Sequence, residues 1–161
     1  MDTVLTKKEI TEGKFLTFNL VKEVYGIEIL KVREIICLMD ITNVPQTPDY
    51  LKGVINLRGK VIPIVDLRLK FSMPEVEHTQ ETCIIVAEVN NTSIGIIVDS
   101  VSEVLNIKSG DIEEAPQFGQ GIDTNFILGL GKTKERIVIL LDIELVLSSE
   151  DLEPVGQLAK G

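Results

Sequence analysis

Apolar residues run along this chain in short blocks, each closed by a turn signal. FLTFNLV at 15–21 is followed by VYGIEIL at 24–30 and EIICL at 34–38. VINL at 54–57 and VIPIVDL at 61–67 flank an Arg58-Gly59 dipeptide. The second half carries CIIVAEV at 83–89, IGIIV at 94–98, EVLNI at 103–107 and IVILLDI at 137–143. Blocks this short and this rich in Ile and Val predict β-strands, and their spacing predicts small barrels. Long stretches of helical periodicity are absent. Pro48 to Leu51 has room for one helical turn, with Pro at an early position, and Asp142 to Glu150 for a short terminal helix. Gln117 to Asn125, with Gly119 and Gly121, reads as a mobile loop, and 1–13 and 151–161 as frayed tails.

The blocks repeat. Tyr25-Gly26-Ile27-Glu28-Ile29 aligns with Ile94-Gly95-Ile96-Ile97-Val98, and Val32 and Glu34 then fall on Val101 and Glu103. With small slips, Asp40-Ile41 meets Asp111-Ile112, and Pro45 meets Pro116. Leu51-Lys52-Gly53 meets Ile127-Leu128-Gly129, and VIPIVDL meets IVILLDI. The order is kept throughout, which predicts two units built alike, about 15–72 and about 82–147. They join at a polar seam from Ser72 to Thr82, with a groove where they meet.

Composition narrows the chemistry. The 161 residues are 44% apolar, enough for a core, with five Phe, two Tyr and no Trp. The net charge of −9 argues against nucleic acid or an anionic membrane as partner, since both call for a basic surface. The polar N-terminus reads as no signal peptide, and no apolar run approaches the roughly 20 residues of a membrane span. The chain reads as cytoplasmic. Cys37 and Cys83 sit inside apolar runs and read as protected core thiols in a reducing compartment.

No catalytic constellation stands out. His78 is the single histidine and lies in the polar seam. One His and two separated thiols do not make a metal site, and no cofactor is expected. Gly131-Lys132-Thr133 imitates the end of a phosphate loop, but the required first glycine is replaced by Phe126. Asp66 and Asp142 hold matching repeat positions at strand ends, which predicts a shared capping task. Asp99 closes its own strand.

Tyr50 to Arg68, YLKGVINLRGKVIPIVDLR, is the most informative segment. It predicts a tight apolar hairpin around Arg58-Gly59, either buried with a solvated turn or presenting Arg58 to a partner. Glu34 and Arg58 each sit against apolar stretches. On spacing alone they are an exposed ion pair, or polar anchors on an apolar surface.

The hairpin GVINLRGKVIPIVDLR resembles the signature of the CheW family, the scaffold proteins of bacterial chemotaxis. The likeness extends from Phe15 (FLTFNLVKEVYGIEILKVREI) to about Leu147 (GLGKTKERIVILLDIELVL). It implies an all-β fold, two intertwined five-stranded SH3-like barrels with short helical turns, forming a single domain. It implies a non-catalytic adaptor coupling chemoreceptors to the histidine kinase CheA, held at receptor arrays on the inner face of the membrane. The partners implied are the regulatory domain of CheA and the cytoplasmic tip of methyl-accepting chemoreceptors, without membrane insertion. Glu34 and Arg58 match family positions on the receptor-facing surface, and Val32, Cys83, Val101 and Val104 match apolar positions around the same groove. Cys83 departs from the usual aliphatic residue but stays small and apolar. Leu38, Ile41, Thr42 and Val44, with Gly53, are placed on the kinase-facing side. The alternative is a small-barrel protein that binds nucleic acid or a small ligand.

Overall fold

The structure, a computed structural model, describes residues 13–115 and 126–147. The expected loop at 117–125 and most of both expected tails lie outside these residues. Gly13 is the exception, since it opens the first strand.

Eleven strands form among the described residues. The first half contributes β1 (Gly13–Leu20), β2 (Glu23–Glu28), β3 (Val32–Cys37), β4 (Leu51–Leu57) and β5 (Lys60–Asp66). The second contributes β6 (Cys83–Val89), β7 (Thr92–Val98), β8 (Ser100–Ile107), β9 (Ile112–Glu113), β10 (Ile127–Lys132) and β11 (Ile137–Leu141). One helical turn follows each terminal strand pair, α1 (Leu67–Lys70) and α2 (Ile143–Val146). Pro48 to Leu51 forms a turn closed by the Leu51 N–H on the Pro48 carbonyl (3.0 Å), and strand β4 begins at once. The polar seam from Met73 to Thr79 has no regular structure.

The strands make two mixed sheets whose orders are β8-β1-β2-β11-β10-β9 and β3-β6-β7-β5-β4. Exchanging β1 with β6, β2 with β7, β3 with β8, β4 with β10 and β5 with β11 turns one order into the other, β9 aside. Each barrel-like sheet therefore takes its first two central strands from one half of the chain and the rest from the other. The two SH3-like barrels interlock.

The sequence repeat reappears at atomic scale. Gly26 lies beside Leu140 in the parallel β2–β11 pair, and Gly95 beside Ile64 in the parallel β7–β5 pair. A Cβ at Gly26 would meet the Leu140 side chain at 3.2 Å, and one at Gly95 the Ile64 side chain at 2.6 Å. Glycine there lets a large aliphatic from the neighbouring strand lie against the backbone. Both hairpins carry a bulge at the matching place, between Leu51 and Gly53 and between Ile127 and Gly129. Asp66 caps α1 through the Arg68 and Leu69 N–H groups (3.0 and 3.4 Å). Asp142 caps α2 through Glu144 and Leu145 (3.1 and 3.4 Å), so the expected shared capping task is present.

Three apolar clusters explain why so many strand blocks are continuously apolar. One is shared between the sheets and includes Leu16, Phe18, Tyr25 and Leu141 from the first, and Val65, Ile85, Ile96 and Val98 from the second. The first sheet has its own cluster, with Phe15, Val138 and Leu140, and the second has Ile55, Ile62, Ile64, Ile84 and Val86. Neighbouring residues of β6, Ile84, Ile85, Val86 and Ala87, thus point alternately into two different cores. Strands covered on both faces need apolar residues at every position. Phe18, Tyr25, Phe71 and Phe126 stack in a row through the shared core, with centroids 6.0, 6.1 and 5.0 Å apart.

A sheltered polar tie joins the halves. Arg68 of α1 donates from Nε and Nη2 to both Asp99 oxygens (2.8 and 2.6 Å), and the Val21 N–H donates to Asp99 Oδ2 (2.8 Å). Burial works to raise the Asp99 pKa. The bonds from Arg68 and Val21 and the guanidinium charge outweigh it and hold the carboxyl below its usual value. Asp66 goes the other way, raised by burial despite its capping bonds.

Candidate functional site

The β4–β5 hairpin turns in two residues, Arg58 (φ 52°) and Gly59 (φ 87°). Positive φ at both central positions is the type I′ geometry that matches the twist of paired strands. Asn56 Oδ1 accepts from the Gly59 N–H (2.8 Å) and steadies the turn. The Arg58 side chain, 68% exposed, projects from the tip and forms an ion pair with Glu34 on β3.

A bulge in β3 sets Glu34 in place. Val32 lies opposite Ala87 and Glu34 opposite Val86, which leaves Arg33 as the extra residue, paired with Glu88 on the outside. Val32 therefore packs on the shared core, whereas Val86 belongs to the inner core of the second sheet. Leu57, next to Arg58, and Ile36, two places after Glu34, also pack on that inner core. The Glu34–Arg58 pair thus lies at the margin of one barrel. The pair is too exposed to stabilise the fold by more than about 1 kcal/mol.

Val32, Cys83 and Val101 all pack, half-buried, on the shared core, the first two from β3 and β6 and the third from β8 of the other sheet. Val104, opposite Leu16, is 48% exposed. The structure brings Glu34 and Arg58 into contact and sets the three half-buried residues on one common core.

Leu38 and Ile41 pack on the same inner core of the second sheet as Ile36 and Leu57. Thr42 makes a two-way backbone bridge to Val54 (2.8 and 2.9 Å), which draws the segment after β3 onto β4. Val44 is half-buried, and its carbonyl accepts from the Thr47 hydroxyl (2.9 Å). Gly53 is buried beneath the Thr42 carbonyl and shows no side chain to solvent. Its influence on this surface passes through the Thr42–Val54 bridge.

The expectation for the cysteines needs correction. Cys37 is exposed and Cys83 only half-buried. β3 is an edge strand with an alternating exposure pattern, and Cys37, its last residue, lies on the exposed face with Ile35. The apolar run around Cys37 signals a strand but not its place at the sheet edge.

Two features were not singled out from the sequence. Leu30, 92% exposed in the short turn Ile29–Lys31, stands next to β3. Its signal is an apolar residue in a run too short to cover it. The counterpart of the Glu34–Arg58 corner, Glu103 with the Thr133–Arg136 turn, lines a groove of about 430 Å³ in the other half. There Thr17 replaces a ladder bond at the β8 bulge, its hydroxyl donating to the Glu103 carbonyl (2.7 Å) and accepting from the Glu103 N–H (3.1 Å). Gly131-Lys132-Thr133 ends β10 and enters this turn, so no helix follows it as a phosphate loop requires. Among the described residues, no group of three His, Cys, Asp or Glu side chains converges as a metal site would need, and no helix is long and apolar enough to cross a membrane.

Two interlocked small barrels, with a charged pair on an apolar margin, define an all-β double-barrel module of the SH3-like kind. The CheW-like domain profile matches residues 14–151. Chemotaxis protein CheW of Klebsiella aerogenes is 45% identical over 152 residues, covering 94% of this chain and 92% of that one. Chemotaxis protein CheW of Bacillus subtilis is 34% identical over 146 residues, with 91% and 94% covered. The crystal structure of the scaffolding protein TtCheW from Thermoanaerobacter tengcongensis superposes with a TM-score of 0.79 at 34% identity, covering 87% of this chain and 95% of that one. The chain belongs to the CheW-like family, and with it to the scaffold proteins of chemotaxis.

Proposed function

We propose that the chain is a non-catalytic cytoplasmic adaptor that couples chemoreceptors to the histidine kinase CheA. The receptor tip docks along Val32, Glu34, Arg58, Cys83, Val101 and Val104. The regulatory domain of the kinase docks on the side of Leu38, Ile41, Thr42 and Val44, with Gly53 beneath. Holding both partners raises the effective concentration of each for the other. A change in receptor conformation passes on only if the two signalling states bind the adaptor differently. The adaptor works without a cofactor, at receptor arrays on the inner face of the membrane.

The observation that carries this reading is the Glu34–Arg58 pair. It contributes little to the fold, yet a two-residue turn and a strand bulge hold it at an apolar margin. Polar groups on such a margin fix the orientation of a partner while apolar neighbours supply area.

Arg58→Ala is the test. Its melting temperature stays near that of the parent, as is usual for surface substitutions. Receptor-tip affinity falls by about 1–3 kcal/mol, the range for a charged hydrogen bond at an interface. Affinity for the kinase regulatory domain changes much less. Titration calorimetry against each partner separately reads this out. Equal losses for both partners, or none for the receptor tip, would remove Arg58 from a receptor-specific surface.

A further inference from the structure

Cys37 and Cys83 are direct cross-strand partners. In the antiparallel β3–β6 pair the register places Cys37 opposite Cys83. Directly opposed residues point to the same face, with Cβ atoms about 4.5–5.5 Å apart. A disulfide needs Cβ atoms about 3.5–4.5 Å apart and Cα atoms about 4.4–6.8 Å apart. A small inward movement is enough, and the position allows it. Cys37 is the last residue of β3 and Cys83 the first of β6, so the ladder stops at this pair. β3 is also an edge strand, free to adjust on its outer side.

Both thiols are within reach of a reagent. Cys37 is exposed, and Cys83 is half-buried with its Sγ donating to the Glu81 carbonyl at 3.1 Å. Rotation about χ1 of Cys83 releases that weak bond.

We propose that Cys37 and Cys83 form a reversible intramolecular disulfide when the protein meets a peroxide, a redox-responsive clamp at the open end of the second sheet. The more exposed Cys37 reacts first. Its thiolate attacks one peroxide oxygen, the O–O bond breaks, and water leaves with the thiol's proton, giving a sulfenic acid at Cys37. The Cys83 sulfur then attacks the Cys37 sulfur, the S–O bond breaks, and the hydroxyl leaves as a second water with the Cys83 proton. Two thiols are oxidised and one peroxide is reduced to two waters. Excess dithiol reverses the bond by exchange. In a reducing compartment such a pair stays reduced until an oxidant arrives, the usual pattern for intracellular redox sensors. The clamp would pin the end of β3, the strand that carries Val32 and Glu34, to β6.

Hydrogen peroxide on the folded full chain is the experiment, read by intact mass, non-reducing gel and peptide mapping. The expected product is a monomer lighter by two hydrogens, with one peptide cross-link joining the segments that hold Cys37 and Cys83. Dithiothreitol restores the parent mass. The oxidised form melts several degrees higher, because the bond closes a long loop in the unfolded chain. Cys37→Ser and Cys83→Ser, each confirmed folded by circular dichroism, give no monomeric cross-link. Three outcomes would overturn the proposal: covalent dimers as the main product, sulfinic or sulfonic acid at Cys37 with Cys83 untouched, or both thiols surviving peroxide that oxidises the denatured chain.

Discussion

Gly53→Asp lowers the melting temperature by about 10–15 °C, the fall expected for a loss of about 4 kcal/mol in a domain of this size. Gly53 has φ +141°, a conformation that L side chains rarely adopt, and a Cβ there would lie 2.0 Å from the Thr42 carbonyl oxygen and 2.7 Å from its carbon. Both atoms are backbone, so no rotamer change relieves the clash. The Thr42–Val54 bridge must open, giving up hydrogen bonds of 2.8 and 2.9 Å. Each is worth about 1 kcal/mol, and the backbone strain adds about 1–3 kcal/mol. Because the bridge ties the segment after β3 to β4, kinase affinity falls with the fold. Gly110→Asp is the control, since nothing lies within 4 Å of a Cβ there and its φ is ordinary. Thermal unfolding followed by circular dichroism reads both. Equal melting temperatures for the two variants would contradict the packing at Gly53.

Arg68→Ala comes next, with an expected loss of about 2–3 kcal/mol. Its two bonds to Asp99 are charge-assisted and largely sheltered, with side chains 14% and 27% exposed. Removing the guanidinium leaves a partly buried carboxylate with the Val21 N–H as its remaining donor here. The pH dependence follows from the direction of the Asp99 shift. Its folded pKa lies below the usual 3.8, so its stabilisation is present above that value and is lost as pH falls through the folded pKa. Asp66 acts oppositely. Its folded pKa is raised, so its burial cost applies at neutral pH and is relieved as pH falls through that raised value. Asp99→Asn should therefore lose stability at pH 7 and show a flatter decline below about pH 4 than the parent. Urea unfolding across that range measures it. An acid limb as steep in Asp99→Asn as in the parent would assign the acid sensitivity to other groups.

The repeat was readable because the task of certain residues is local. Glycine under a large aliphatic, Asp at a strand end and the bulge before Gly53 and Gly129 each leave a letter in the sequence. The strand blocks were readable for the same reason. The exchange of strands between sheets was not, because β3 carries the same pattern whether its neighbour is β2 or β6. The family resemblance implies intertwined barrels, and the register of β3 on β6 gives that crossing its geometry. Cys37 was misplaced because an edge strand and a central strand of this length look alike in apolar pattern. The role of Arg68 is not legible in the hairpin segment, since its partner Asp99 is 31 residues away and no periodicity links them. At the candidate site, the Glu34–Arg58 contact was legible as a pair of charges in apolar runs. The Arg33 bulge that aims Glu34 was not.

Co-sedimentation tests the adaptor role most directly. Receptor-tip assemblies are pelleted with the CheA regulatory domain, with and without this chain. The kinase domain should pellet in quantity only when the chain is present, and far less with Arg58→Ala, although that variant still binds the kinase domain in solution. Equal recovery of the kinase domain with and without the chain would contradict the bridging role at its root.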